Sequence, residues 1–193
     1  MKPFVAPPVT VFTFDVGQPI NHARGGDAIL VYNAPAMASR IIRFGQGLRA
    51  RTRPYRDWSH AALALEEGLD PPIAQAVTRG VVISKLSELE DTYRALISPQ
   101  VSDAERYSAV EFGRWSVGEG YGWLSLLGDA LDDLTTLHLT VGTMGRIICS
   151  ALVCRAHERL GLIPDVESSM CAPADLARYY NVPDPKGRLK GRT

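Results

Sequence analysis

An excess of charge of either sign is missing from this chain of 193 residues: 21 Lys and Arg are balanced by 21 Asp and Glu, a formal net charge of +0. Nothing in that balance creates an overall field for nucleic acid or an anionic membrane, so neither is expected as a partner. Cysteine is scarce. There are 3, an odd number at unrelated spacings. That excludes a disulfide framework and leaves at least one free thiol. Cys149, Cys154 and Cys171 also lack zinc-ligand spacing, so no metal and no other cofactor is expected. No apolar run reaches the ~20 residues that span a bilayer. A secretory leader is not expected either, because Lys2 is followed by Pro3, Pro7, Pro8 and then Asp15. The expected location is cytoplasmic at synthesis.

What is present is an ordinary globular balance, 46% hydrophobic and 22% charged, at a length that fits one domain with a sizeable core. Three regions are expected: an N-terminal arm over 1–23, a domain over 24–182, and a basic tail over 183–193 with Lys186, Arg188, Lys190 and Arg192. In the arm, Val9 to Phe14 has strand composition and would either join the main sheet or reach onto a partner. Strands are expected at Asp27–Tyr32, Ala61–Leu65, Ile73–Thr78, Val81–Ile83 and Thr92–Ile97. A short helix is expected over Ser39–Phe44, ended by Gly45 and Gly47. Ser102-Asp103-Ala104-Glu105 is a capping box that opens a helix to about Val117. A further helix is expected from Trp123 to Leu134, and a last one at Pro173–Tyr180 with proline in its first turn. Strands in the middle with helices after them indicate α+β rather than a doubly wound sheet.

The chemistry centres on the stretch from Met144 to Gly161. Leu152, Val153, Ala156 and Leu160 recur at helical spacing, and Gly161 with Pro164 beyond it ends the helix. A start near Gly145 puts Cys149 in the first turn. There the unpaired N–H groups and the positive end of the helix dipole favour thiolate, the nucleophilic form. Taken alone, such a cysteine is more often a small core residue. The balance changes with His60 at the start of a strand and Gln75 on the next one. Thiol catalysis needs a thiolate, an imidazole to share its proton, and a polar group to fix the imidazole tautomer. Adjacent strands can set His60 beside Gln75, and a helix packed on them can bring Cys149 to the imidazole.

Several segments carry a resemblance. They are Trp58-Ser59-His60 before an apolar strand, Ile73-Ala74-Gln75-Ala76 before Arg79-Gly80-Val81, and Gly120-Tyr121-Gly122-Trp123 after a helix. Ile148-Cys149-Ser150-Ala151-Leu152-Val153 and Ala172-Pro173-Ala174-Asp175-Leu176 complete the set. In this order, histidine before cysteine, they resemble the circularly permuted NlpC/P60 papain-like hydrolases over roughly residues 24 to 180. The resemblance implies a permuted papain-like fold, an antiparallel sheet packed against helices. It implies Cys149 as nucleophile, His60 as base and Gln75 as the third polar residue, where a carboxylate is common. Trp58, Tyr121 and Trp123 would line the substrate groove. The implied reaction is cleavage of an amide, foremost a peptide bond of peptidoglycan, with acyl groups on lipids as further substrates. Delivery in a particle such as a phage virion would suit a wall hydrolase with no leader of its own. The alternative expectation is a non-catalytic papain-like module in such an assembly, contacting partners through the arm and tail.

The remaining candidates carry less. His22 and His138 lie in weakly patterned loops. His157 follows Cys149 by two helical turns but is rotated by about 80°, which points it to a surface. Glu66 and Glu67 lie roughly 16–20 Å from His60 along an extended strand, too far to serve it. Cys154 and Cys171 are expected as core thiols, leaving Cys149 as the reactive one.

Overall fold

The computed structural model describes residues 7–35, 37–48, 52–121, 146–147, 149–162, 167–168 and 171–186. The expected helix from Trp123 to Leu134, His138, and the tail beyond Lys186 lie outside them. Among the described residues the chain is α+β, built on one six-stranded sheet. Its strands are β1 (Val9–Phe14), β2 (Ala28–Tyr32), β3 (Trp58–Ala64), β4 (Pro72–Val77), β5 (Gly80–Lys85) and β6 (Tyr93–Pro99). They lie in the order β1-β6-β2-β3-β4-β5, with every pairing antiparallel. The helices are α1 (Met37–Leu48), α2 (Asp103–Trp115), α3 (Cys149–Glu158) and α4 (Pro173–Tyr179). A second, parallel pair joins β7 (Gly120–Tyr121) to β8 (Arg146–Ile147). No helix among the described residues is long and apolar enough to cross a membrane.

Both faces of the central strands are covered, which is why β2 is buried at all of its positions. One face carries the main core, where Leu30, Ala61, Leu63 and Ile97 meet Leu152, Val153 and Ala156 of α3 and Leu176 of α4. Alpha-2 approaches closely at Gly113: a Cβ there would fall 2.8 Å from Leu63 Cδ2. On the other face Phe14, Ile20 and Ala23 cover Ile29, Ala62, Ile73 and Leu96. The N-terminal segment is therefore built into the fold. Beta-1 pairs along its whole length with β6. The loop after it is clamped by the buried Arg94, whose guanidinium donates to the carbonyls of Asp15 and Gln18.

The capping box at Ser102 forms as expected, with Ser102 Oγ accepting from the Glu105 N–H. So does the helix stop at Gly161, which takes a φ of 74° while the Leu162 N–H donates to the His157 carbonyl. Two expectations need correction. Alpha-1 runs through Gly45 and Gly47 rather than ending there. Two glycines weaken a helix by about 1 kcal/mol each. The buried Gln46 between them offsets this: its amide donates to the carbonyls of Arg56 and Trp58 and accepts from the Ala174 N–H. Tertiary bonds thus hold a turn that local propensity disfavours. His157 does not face a surface but is fully buried. Its Nε2 donates to the Gly26 carbonyl and its Nδ1 accepts from the Tyr180 hydroxyl at 2.6 Å. Burial lowers its pKa to about 4, so it is neutral at ordinary pH. The rotation of about 80° is right. The error lies in assuming one buried face, since α3 is enclosed by the sheet on one side and by α2 and α4 elsewhere.

Removing residues 1–23 deletes β1 and uncovers the second face of the sheet. Loss of the Phe14 and Ile20 contacts alone costs about 3–6 kcal/mol. The truncated protein is expected to melt well below the full chain in a thermal denaturation followed by circular dichroism. An unchanged melting temperature would show that the segment is a detachable arm.

Candidate active site

The site is built where two strands part. Beta-3 and β4 are each longer than their mutual ladder, which covers only Ala62–Ala64 and Ile73–Gln75. Beyond the Ala62–Gln75 pair, β3 continues toward Trp58 beside β2 while β4 follows β5. The start of α3 packs against this fork, against both β3 and β4. Its first residue is Cys149. The backbone N–H groups of Ala61 on β3 and Ser150 on α3 are near enough to the Cys149 sulfur to favour its thiolate.

His60 and Gln75 are diagonal neighbours across the end of that ladder, close enough for long side chains to meet. His60 Nε2 lies 2.7 Å from Gln75 Oε1. The amide's other end donates from Nε2 to Ser84 Oγ at 2.6 Å. With the amide so oriented, its oxygen accepts, so His60 Nε2 carries the proton and Nδ1 is left for the cysteine. Gln75 is buried, and its two bonds satisfy an amide that would otherwise be costly to enclose. Ser84 escaped the sequence reading. The signal for it was period-two spacing on the next strand: Gln75 stands opposite Val82, and Ser84 is the diagonal neighbour.

Cys149 and His60 shift each other's proton affinity. Burial by itself lowers the His60 pKa, but the Cys149 thiolate and its hydrogen bond, helped by Gln75, raise it on balance. Burial by itself raises the Cys149 pKa. The His60 charge and hydrogen bond, with the Ala61 and Ser150 N–H groups, lower it on balance. Each group thus favours the charged form of the other, the condition for a thiolate–imidazolium pair. Cys171 behaves in the opposite way. The neighbouring Cys154, then burial, push its thiol well above the ordinary range, and so do Asp175 and Cys149. All three thiols are buried and none is paired in a disulfide.

Of the expected groove residues, Trp58 belongs to the core instead. It is fully buried, with its ring 5.3 Å from that of Tyr32 and 6.0 Å from that of Tyr93. The cause is the register shift between Val31 and Tyr32, where β2 and β3 carry a bulge and Trp58 comes opposite Tyr32. Tyr121 lies in β7, opposite Ile147, which stands just before the start of α3. Trp123 lies outside the described residues. Glu66, discounted as a partner for His60, pairs with Arg114 at 3.0 Å. The beginning of the tail docks on the fold: Asp184 accepts from the Tyr32 hydroxyl, and Lys186 Nζ lies 3.7 Å from Asp57. Among the described residues no group of three or more His, Cys, Asp and Glu side chains is arranged to hold a metal.

No protein-family model matches the chain, and no curated protein is significantly similar to it.

Alkylation tests the pair. In wild-type protein the rate of Cys149 labelling by iodoacetamide should rise with pH through a midpoint below the ordinary thiol value of about 8.5. His60→Ala removes the charge and the hydrogen bond that lower the pKa but leaves burial, which raises it. The midpoint should move up and labelling at neutral pH should slow at least about tenfold. Ser84→Ala should slow it by about two- to fivefold, the worth of one hydrogen bond, and Ser84→Thr should restore it. Equal rates at all three cysteines, insensitive to His60→Ala, would show that no pair forms.

Proposed function

We propose that the protein is a cysteine hydrolase that cleaves an amide bond, with Cys149 as nucleophile, His60 as acid and base, and Gln75 holding the imidazole. The observation that carries this reading is the His60–Gln75 hydrogen bond at 2.7 Å, on an imidazole whose pKa the Cys149 thiolate raises. The order histidine, polar residue, cysteine along an antiparallel sheet supports assignment to the permuted NlpC/P60 papain-like hydrolases. Peptide bonds of peptidoglycan are then the foremost substrate, with acyl esters or lipid amides next.

The steps follow from the groups present. The Cys149 thiolate attacks the carbonyl carbon and a C–S bond forms. The imidazolium of His60 gives its proton to the departing nitrogen as the C–N bond breaks, which leaves a thioester and an amine. Neutral His60 then takes a proton from water, whose oxygen attacks the thioester. The C–S bond breaks, the acid leaves, and the thiolate–imidazolium pair is restored. Gln75 keeps the imidazole in the tautomer that faces the sulfur. A neutral amide does this through its carbonyl but stabilises imidazolium less than a carboxylate does.

A second reading has its own support. Cys149 is only 1% exposed, which favours a papain-like module kept for binding within a larger assembly such as a phage particle. Incubation with purified peptidoglycan, and separately with lipid amides and esters, followed by mass spectrometry, separates the two. The hydrolase reading predicts new products that fall at least about a thousandfold in rate in Cys149→Ala and His60→Ala. No product from any substrate, together with an unreactive Cys149, would favour the binding module.

A further inference from the structure

A cavity of about 300 Å³ borders the site, at the small end of the range for ligand pockets. His60 and Gln75 form part of its wall, but Cys149 does not. It is therefore reached from the imidazole side of the pair. In amide cleavage by a thiolate, the acyl half of the substrate stays on sulfur, and the imidazolium delivers its proton to the leaving nitrogen. A space that touches the proton donor and not the nucleophile is placed for the leaving half.

Its lining selects a chemistry. Val31, Ile42, Val77 and Leu89 supply apolar surface. Glu88 and Asp91 complete it from the turn beside β5, and neither forms an ion pair with a described residue. No Lys or Arg is among the described lining residues. Ser39 on α1 also lines the space. It is 3% exposed, and its hydroxyl has no hydrogen-bond partner among the described residues. A buried hydroxyl left open toward a cavity is a waiting contact for a ligand. An apolar body, a free hydroxyl and two carboxylates with no opposing cation complement a short apolar amine. An acidic or anionic leaving group would be repelled.

We propose that this cavity is the leaving-group site and that it takes a compact apolar amine. Glu88 and Asp91 would hold the ammonium form that the amine adopts once released, and Ser39 would bond to it. The proposal rests on the hydrolase reading for its catalytic meaning, but the binding it describes does not require turnover.

Hexylammonium, hexanol and hexanoate, titrated into the full-length protein and followed by amide NMR shifts, make the test. Hexylammonium should shift Val31, Ile42, Val77 and Leu89 and bind about tenfold more tightly than hexanoate at low salt, a preference that fades as salt is added. The double variant Glu88→Gln, Asp91→Asn should bind the two alike. Its fold should hold, since the introduced amide can still accept the bond that Glu88 takes from the Lys85 N–H. Ser39→Ala should weaken hexylammonium several-fold. Equal affinity for the two ions, a preference that survives the double variant, or shifts confined to other residues would overturn the proposal. Hydrolysis that depends on Cys149 without any amine preference would defeat this inference alone. An amine preference in a protein that hydrolyses nothing would defeat the hydrolase reading and leave the binding site.

Discussion

Everything at the candidate site depends on β3 and β4 separating one pair beyond Ala62 and Gln75. While they are paired, each backbone N–H between them belongs to the ladder. Where they part, the Ala61 N–H is left outside that ladder and favours the Cys149 thiolate instead. The same opening lets the first residue of α3 reach an imidazole that projects from the sheet. Had the ladder continued to His60, α3 would meet a closed sheet face, and its cysteine would be the small core residue that a helix-borne cysteine usually is.

The helices are tied to the strands around the fork by contacts remote from it. Alpha-2 is fixed by Arg106, which pairs with the fully buried Asp27 at 2.7 Å and donates to the carbonyls of Gly25 and Pro99. Asp27 also accepts from Ser98 Oγ and from the Arg24 N–H, so one carboxylate ties β2, β6 and α2 together. With so many donors around it, the buried charge is compensated; removing the Arg106 side would leave a carboxylate enclosed without its cation, a loss of about 3–5 kcal/mol. His157 joins α3 to the same corner through the Gly26 carbonyl. Gln46 does a similar task at the other end, linking α1 to the strand that carries His60 and to the first turn of α4. Both ends of the β2–β3 pair are therefore bound by buried polar groups whose partners come from distant parts of the chain.

That division explains what the sequence could and could not reveal. Alternation and apolar runs announced β1 to β6, the capping box announced α2, and Gly161 announced the end of α3, because each is a local signal. His60 and Cys149 were legible because their residue types and their places near element starts carry chemical meaning, and Gln75 because it is a polar residue on the next strand. Ser84 was not, because a serine on an edge strand looks like any solvated position until the register is known. Trp58 was misplaced because a one-residue bulge changes the side of the sheet on which a residue falls. Alpha-1 was cut short because Gly45 and Gly47 speak locally for a stop, whereas the bonds of Gln46 come from residues far along the chain. His157 was sent to the surface by a helix-wheel argument that cannot count how many neighbours the helix will have.

The central claim is that Cys149 and His60 share one proton balance, and the direct measure is the titration of His60 itself by imidazole NMR. In the wild-type protein the His60 midpoint should lie above the ordinary value of 6.5, because the thiolate more than offsets burial. In Cys149→Ala the thiolate is gone and burial remains, so the midpoint should drop below 6.5. The same midpoint in both proteins would contradict the account, because it would mean that the sulfur and the imidazole do not sense each other.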